Sequence, residues 1–223
     1  MKPTVKHTLI IDDHPLIIEA FMTALEQVAE QHPNWHFSID TAKSCDAAQY
    51  ILQQKPPLDL VFLDIQVPPS SDGQLLSGED IGLVLRRDFP QARIIIATTY
   101  TNNYRLQAIF KQINPEGFLI KNDISATMLI PAIVEVVTAP PYYSKTVLRS
   151  VRKYISHDYI LDKWDRLLLY ELSQGTKMKE LPTIMPYSIG AIEKRKRHLK
   201  IVFEVEAGED RDLLQAARTH GFI

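Results

Sequence analysis

The stretch LVFLDIQVPP, Leu60 to Pro69, decides the fold. Four apolar residues run straight into a carboxylate, Asp64, and the chain then turns on Pro68 and Pro69. A short unbroken apolar run is the mark of a strand covered on both faces, because a half-exposed strand alternates. Its charged end therefore needs an explanation other than solubility.

The same pattern recurs through the front of the chain. HTLIID, HFSIDTA, LDLVFLD, RIIIATT and GFLI read as strands. PLIIEAFMTALEQVAEQ, SCDAAQYILQQ, GEDIGLVLRRDF, NNYRLQAIFKQ and ISATMLIPAIVEVV read as the helices between and after them. Pro15 suits a first helical turn, and Ser44 suits a cap. Strands alternating with helices predict an α/β fold, a doubly wound parallel sheet of five strands with right-handed crossovers. From Thr138, TAPPYYSKT breaks the rhythm and reads as a hinge. The remainder, from VLRSVRKYI through KWDRLLLYELSQ, IGAIEKRKRHLKIVF and EDRDLLQAART, is helical throughout and predicts a small all-α unit.

Composition is that of a soluble globular protein, 45% hydrophobic and 23% charged. No apolar run is long enough for a membrane span. The N-terminus lacks the apolar core of a signal peptide, which predicts a cytoplasmic protein. The single cysteine, Cys45, reads as a buried apolar residue. Net charge is −2 but unevenly spread. Residues 1–144 balance to −6 and residues 145–223 to +4, so the two parts point to different partners.

In an open parallel sheet, ligands bind at the carboxyl ends of the strands. Asp64 stands at one such end, and Asp12 and Asp13 stand at the end of the first strand. Three converging carboxylates repel one another, and a divalent cation removes that penalty. Thr98 adds a hydroxyl at the end of the fourth strand, and Lys121 an ammonium at the end of the fifth. Acids for a metal, a hydroxyl and a lysine form the set that phosphoryl transfer requires, with a carboxylate able to act as nucleophile.

On these residues, 7–138 resemble the flavodoxin-like receiver domain of two-component response regulators, and IDDHP resembles the opening of the branch with a LuxR-type output. The resemblance implies that Asp64 is the phosphoacceptor. It implies that Asp12, Asp13, Asp64 and the backbone carbonyl of Gln66 hold Mg²⁺. It further implies that Thr98 is the switch hydroxyl, that Lys121 contacts the phosphoryl group, and that Phe118 is the aromatic that reports activation. The family usually follows the acceptor with Met-Pro. Here Val67-Pro68 stands in, and the loop runs on through PSSDGQLLSGED.

In the basic part, Ser188 reads as a helix N-cap, with Ile192, Leu199 and Val202 on an inner face and Arg195 on or near it. Glu193, Lys194, Arg197 and Lys200 point mainly outward, as suits a helix entering the DNA major groove. Residues 161–223 resemble the LuxR-type (NarL/FixJ-like) helix-turn-helix domain, with GTKMKELPTIMPYS matching its scaffold helix and turn. Pro182 stands where that family usually has Ala inside the scaffold helix, and Glu193 where it usually has Lys. Glu193 and Arg197 are spaced for an ion pair on the helix surface.

The expected organisation is a receiver at 7–138, a linker with a helix at 139–160 and the helix-turn-helix domain at 161–223. The expected function is that of a non-enzymatic, cytoplasmic response regulator. Its partners are a sensor histidine kinase or small phosphodonor and double-stranded DNA, and it forms a homodimer when phosphorylated or bound to DNA. The alternative is a phosphorylation-gated switch whose helical unit binds a protein instead of DNA.

Overall fold

The computed structural model describes residues 4–99, 103–152, 161–203, 205–220 and 222–223. The chain divides into two compact units, one of residues 1–101 and 109–153, the other of residues 102–108 and 154–223.

The first unit carries a parallel sheet. Its strands are β1 Thr4–Ile11, β2 Trp35–Ala42, β3 Leu60–Leu63, β4 Arg93–Thr98, β5 Gly117–Ile120 and β6 Tyr142–Tyr143. They lie in the order β2-β1-β3-β4-β5-β6, all neighbours parallel. Helices α1 Pro15–Gln31, α2 Cys45–Gln53, α3 Gly78–Asp88, α4 Asn103–Gln112, α5 Ala126–Thr138 and α6 Lys145–Arg152 connect and follow the strands, with residues 103–108 of α4 grouped with the second unit.

The sheet has six strands, not the expected five. Tyr142 and Tyr143, read as hinge, pair with Gly117 and Phe118. The Tyr142 N–H reaches the Glu116 carbonyl, and the Ser144 N–H reaches that of Phe118. The expected linker thus begins inside the sheet; its residues 153–160 lie outside those described.

The apolar runs are explained by cover on both faces. Ile10, Phe62, Ile95, Ala97 and Leu119 pack with Phe21, Leu25, Val28, Ile133 and Val136 of α1 and α5, and Phe21 stacks on Phe62 at 4.5 Å. The alternate strand residues Leu9, Ile11, Val61, Leu63, Ile94 and Ile96 are equally buried. Each such side chain contributes about 1.5–3 kcal/mol. This rigid sheet fixes where its strand ends point.

The second unit is built on α7 Lys163–Ser173, α8 Ile189–Val202 and α9 Asp210–Thr219. Asp162 and Asp165 form a reciprocal capping box at the start of α7, and Gly175 ends that helix at φ +85°. Leu168, Leu181, Met185, Ile192, Leu199, Leu213 and Ala217 form its core.

One expectation fails here. Residues 175–188, matched to a scaffold helix, contain only a turn and a short 3-10 turn, Leu181–Thr183. Pro182 is the reason. It has no N–H for an interior hydrogen bond, and its ring excludes a preceding helical turn, so it sits at the start of the 3-10 segment. Leu181 and Met185 still reach the core, and a hydrogen bond joins the Met185 N–H to the Leu181 carbonyl.

Candidate functional site

Strands β1 and β3 are neighbours, and Ile11 pairs with Leu63. The next residue on each strand is an aspartate, so Asp12 and Asp64 emerge side by side. Both are buried. Lys121, the first residue after β5, reaches between them. Its Nζ lies 2.7 Å from Asp64 Oδ2 and 2.6 Å from Asp12 Oδ2. Asp64 Oδ1 accepts the Gln66 N–H at 2.9 Å, and Asp12 Oδ1 accepts the His14 N–H at 2.9 Å.

Asp12, Asp13, His14 and Asp64 each present a ligand atom within 4.8 Å of the others, an arrangement that could hold a metal ion. Two observations fit a cation there. Asp12 and Asp64 share the Lys121 ammonium and Asp13 meets the His14 ring, leaving the carboxylates in formal excess. In addition, Asp12 Oδ2 and Asp13 Oδ1 are buried without a hydrogen bond, although each has a cationic or titratable nitrogen near it. Burial is the largest influence on Asp64 and raises its carboxyl above the usual carboxylate range. The Lys121 ammonium and the Gln66 N–H oppose that rise, and Asp12 adds to it. The charge of an Asp64 held this way is one the fold tolerates only with cationic help.

Gly78, at the first position of α3, lets that helix close on Asp64. A Cβ there would lie 1.9 Å from the Asp64 carbonyl oxygen, and the Gly78 N–H bonds the Ile65 carbonyl at 3.0 Å. The long loop between them is organised. The Ser71 N–H donates to both Asp46 carboxylate oxygens, and the Ser70 Oγ donates to Asp72 Oδ1 at 2.6 Å. Cys45 is buried against this loop, and burial together with Asp80 and Asp46 pushes its thiol up to about 12.

Thr98 is buried at the end of β4. Phe118 is buried on β5 and packs on Phe110 of α4 with ring centres 5.1 Å apart. Gln66 lies beside Asp64, and its side-chain carbonyl accepts from the Thr99 hydroxyl at 2.7 Å. Sequence reasoning missed His14, whose Nδ1 lies 2.6 Å from Asp13 Oδ1 and 3.2 Å from Asp12 Oδ1. The signal was its place between two aspartates and Pro15.

On α8, Ser188 accepts the Ala191 N–H, and Ile192 and Leu199 are buried. Glu193, Lys194 and Arg197 are exposed. Among the described residues, Glu193 and Arg197 form no ion pair with each other. Lys200 differs from the outward position expected of it. Its Nζ is 2.8 Å from the Gly208 carbonyl and 3.1 Å from Asp210, and its side chain is 16% exposed. Asp210 also holds Lys196 at 2.8 Å. Arg195 pairs with Asp162 and with the buried Asp165, and lies over the Tyr187 ring.

Such a fold, with buried acids and a lysine meeting at adjacent strand ends, defines a phosphoacceptor-type doubly wound domain. A family model of the response regulator receiver domain matches residues 8–133, more than half of the chain. The chain belongs to the response regulator receiver family. It is similar to the transcriptional regulatory protein RcsB of Escherichia coli K12, 23% identical over 205 residues that cover 90% of this chain and 89% of that protein.

Among solved structures it resembles the RcsB response regulator of Salmonella typhimurium, with TM-score 0.64, 20% identity and 99% of both chains covered. It also resembles RcsB of Salmonella enterica serovar Typhimurium bound to promoter rprA with the phosphomimetic BeF3−, with TM-score 0.67, 22% identity and 96% and 98% covered. A third is RcsB solved as two dimers bound to two parallel DNAs, with TM-score 0.56, 19% identity and 97% and 99% covered. These likenesses establish one shared fold along the chain. Among the described residues, no helix is long and apolar enough to cross a membrane.

Proposed function

We propose that this chain is the response regulator of a two-component phosphorelay, in which phosphorylation of Asp64 controls sequence-specific DNA binding and transcription. The observation that carries this reading is the buried Asp64 carboxylate, held 2.7 Å from Lys121 beside a second buried aspartate. A sensor histidine kinase or a small acyl phosphate, working in the cytoplasm, would supply the phosphoryl group. An Asp64 oxygen attacks phosphorus, the bond from phosphorus to the donor atom breaks, and the donor leaves with the electron pair. Lys121 neutralises charge on the transferred group.

Asp12, Asp13, Asp64 and the Gln66 carbonyl would hold Mg²⁺, which would supply positive charge to offset that of the phosphoryl group. The acyl phosphate changes the charge that Thr98 and Lys121 face, and Phe118 against Phe110 supplies a packed element able to shift with it. The receiver is assigned to 7–138, the linker to 139–160 and the DNA-binding domain to 161–223. Exposed Lys194 and Arg197, with Glu193 beside them on the helix, supply the groove-facing side chains. RcsB, so similar in fold, has been seen as dimers on DNA, which supports a homodimer of this chain on paired half-sites.

Labelling with radioactive acetyl phosphate and Mg²⁺ tests the acceptor. The wild type takes up phosphate and Asp64→Asn takes up none; uptake by the variant at the wild-type rate would overturn the assignment. Selecting duplexes from a random pool, with and without BeF3−, tests the output. Enrichment of one motif in the BeF3− arm is expected, and a pool that stays random in both arms returns the protein-binding alternative.

A further inference from the structure

Strand β6 lies beyond the five strand–helix units, and its two tyrosines are sorted between the two faces of the sheet. Gly117 pairs with Tyr142 and Phe118 with Tyr143. Register partners on neighbouring parallel strands present their side chains to one face, and the next residue along turns to the other. Tyr142 accordingly packs on the core beneath α1 and α5. Tyr143 shares the opposite face with Phe118. Phe118 in turn pairs with Ile96, two residues before Thr98. Thr98, Phe118 and Tyr143 therefore stand on one face of three adjacent strands.

One side chain spans the last two. The Phe110 ring of α4 is centred 5.1 Å from Phe118 and 5.0 Å from Tyr143, edge-on to the tyrosine. The Tyr143 hydroxyl donates to the Pro115 carbonyl at 3.1 Å and fixes the far end of that ring. The backbone is tied at the same place, where the Ser144 N–H donates to the Phe118 carbonyl at 2.9 Å. Ser144 is buried, and its hydroxyl accepts the Val147 N–H in the first turn of α6, where Val147 is buried as well. Strand β6 thus runs directly into α6, the last described element before residues 161–223. A two-residue strand makes few ladder bonds, so its hold on the sheet depends on the side chains beside it.

We propose that Tyr143 couples the phosphoacceptor site to the linker: when phosphorylation of Asp64 shifts Phe118, Phe110 loses its fit between the two rings, and β6 loosens from β5 with α6 behind it. Close-packed rings do not deform by degrees, so a displaced Phe118 forces Phe110 into a different packing. Tyr143 is a positioning residue that acts through Phe110. The inference rests on the receiver reading above and adds the element through which the switch leaves the receiver.

The test is amide hydrogen exchange on the full-length protein, with and without BeF3− and Mg²⁺, read at the Tyr142, Ser144 and Val147 amides. In the wild type, BeF3− should speed exchange there by at least about fivefold, the lower end of common coupling between sites. Tyr143→Phe keeps the ring and should respond as the wild type does. Tyr143→Leu keeps apolar bulk but removes the ring. Its exchange should already be fast without BeF3−, and BeF3− should add no further step. Both variants should still be labelled on Asp64 by acetyl phosphate. A Tyr143→Leu protein that exchanges as slowly as wild type and still responds to BeF3− overturns the proposal. Fast exchange in Tyr143→Leu to which BeF3− adds the wild-type factor marks a structural anchor only, and overturns it too. If the wild type is labelled on Asp64 while BeF3− leaves β6 exchange unchanged, the coupling through Tyr143 falls and the receiver reading stands. If Asp64 is not labelled and BeF3− alters exchange nowhere, the receiver reading falls with it.

Discussion

In sequence, the acidic strand ends of the receiver unit and the basic helix α8 of the helical unit are mirror images, each a run of one sign of charge. In the fold they are opposites. At the strand ends, Asp12 and Asp64 share one ammonium and Asp13 meets the His14 ring, so charge is left over for something outside the chain. On α8, Arg195 is taken up by Asp162 and Asp165, and Lys196 and Lys200 by Asp210. Much of the basic run is spent inside its own unit. A charge cluster announces a ligand only after its internal partners have been counted.

The contrast can be broken most sharply at Lys121. Removing a cation from a buried pair leaves uncompensated charge, at a cost of about 3–5 kcal/mol. Lys121→Ala should therefore lower the stability of the receiver unit by that order in urea unfolding with chelator present, and added Mg²⁺ should recover part of it. A loss under about 1 kcal/mol, the range of an exposed pair, would mean that the acids are solvated and that the excess charge has no hold on a cation.

Asp64 offers a smaller effect of opposite sign. Burial raises the Asp64 carboxyl above its unfolded value, so in the pH range between the two values the folded state holds a proton there that the unfolded state has released. Stability from this group then falls as pH rises from the ordinary carboxylate range through the raised value, and the full cost persists above it. In chelator, Asp64→Asn should melt a few degrees above wild type at neutral pH. The gain should shrink as pH falls toward 4, roughly the ordinary aspartate value, and should also shrink with Mg²⁺ at neutral pH. A gain that grows on acidification would reverse the sign of the argument.

How much could be read in advance follows the same division. The strand ends were legible because a buried apolar run ending in a polar group is a local pattern, and four such runs set Asp12, Asp64, Thr98 and Lys121 at their places. Strand β6 was hidden, since two tyrosines after a proline pair are too few to show a period and read as a turn. The scaffold segment misled in another way. Leu181 and Met185 are spaced as on a helix and do reach the core, but Pro182 decides the backbone. The pairing of Lys200 was illegible because Asp210 stands beyond a turn at Gly208, and no periodicity crosses a turn. His14 was visible as a letter, but its direction depends on the extended backbone before Pro15 and on the Asp12 side chain that holds it.

The finest test of the contrast lies on α8 itself. If only the exposed cations meet DNA phosphates, the salt dependence of duplex binding counts them. Each phosphate contact contributes a slope of roughly −0.9 in log affinity against log salt. Lys194→Ala and Arg197→Ala should each make the slope shallower by about that amount. Lys200→Ala should leave the slope where it was and lower the melting temperature of the helical unit instead, because its ammonium serves the Gly208 carbonyl and Asp210. Glu193 supplies an internal control of opposite charge. It has no ion pair with Arg197 to lose, so Glu193→Ala should not weaken binding through Arg197. If the acid reads a cytosine amino group, the variant loses about 1–3 kcal/mol of discrimination at one base pair. A Lys200→Ala slope as shallow as that of Lys194→Ala would show that Asp210 releases the lysine to DNA, and the two charge clusters would then be alike after all.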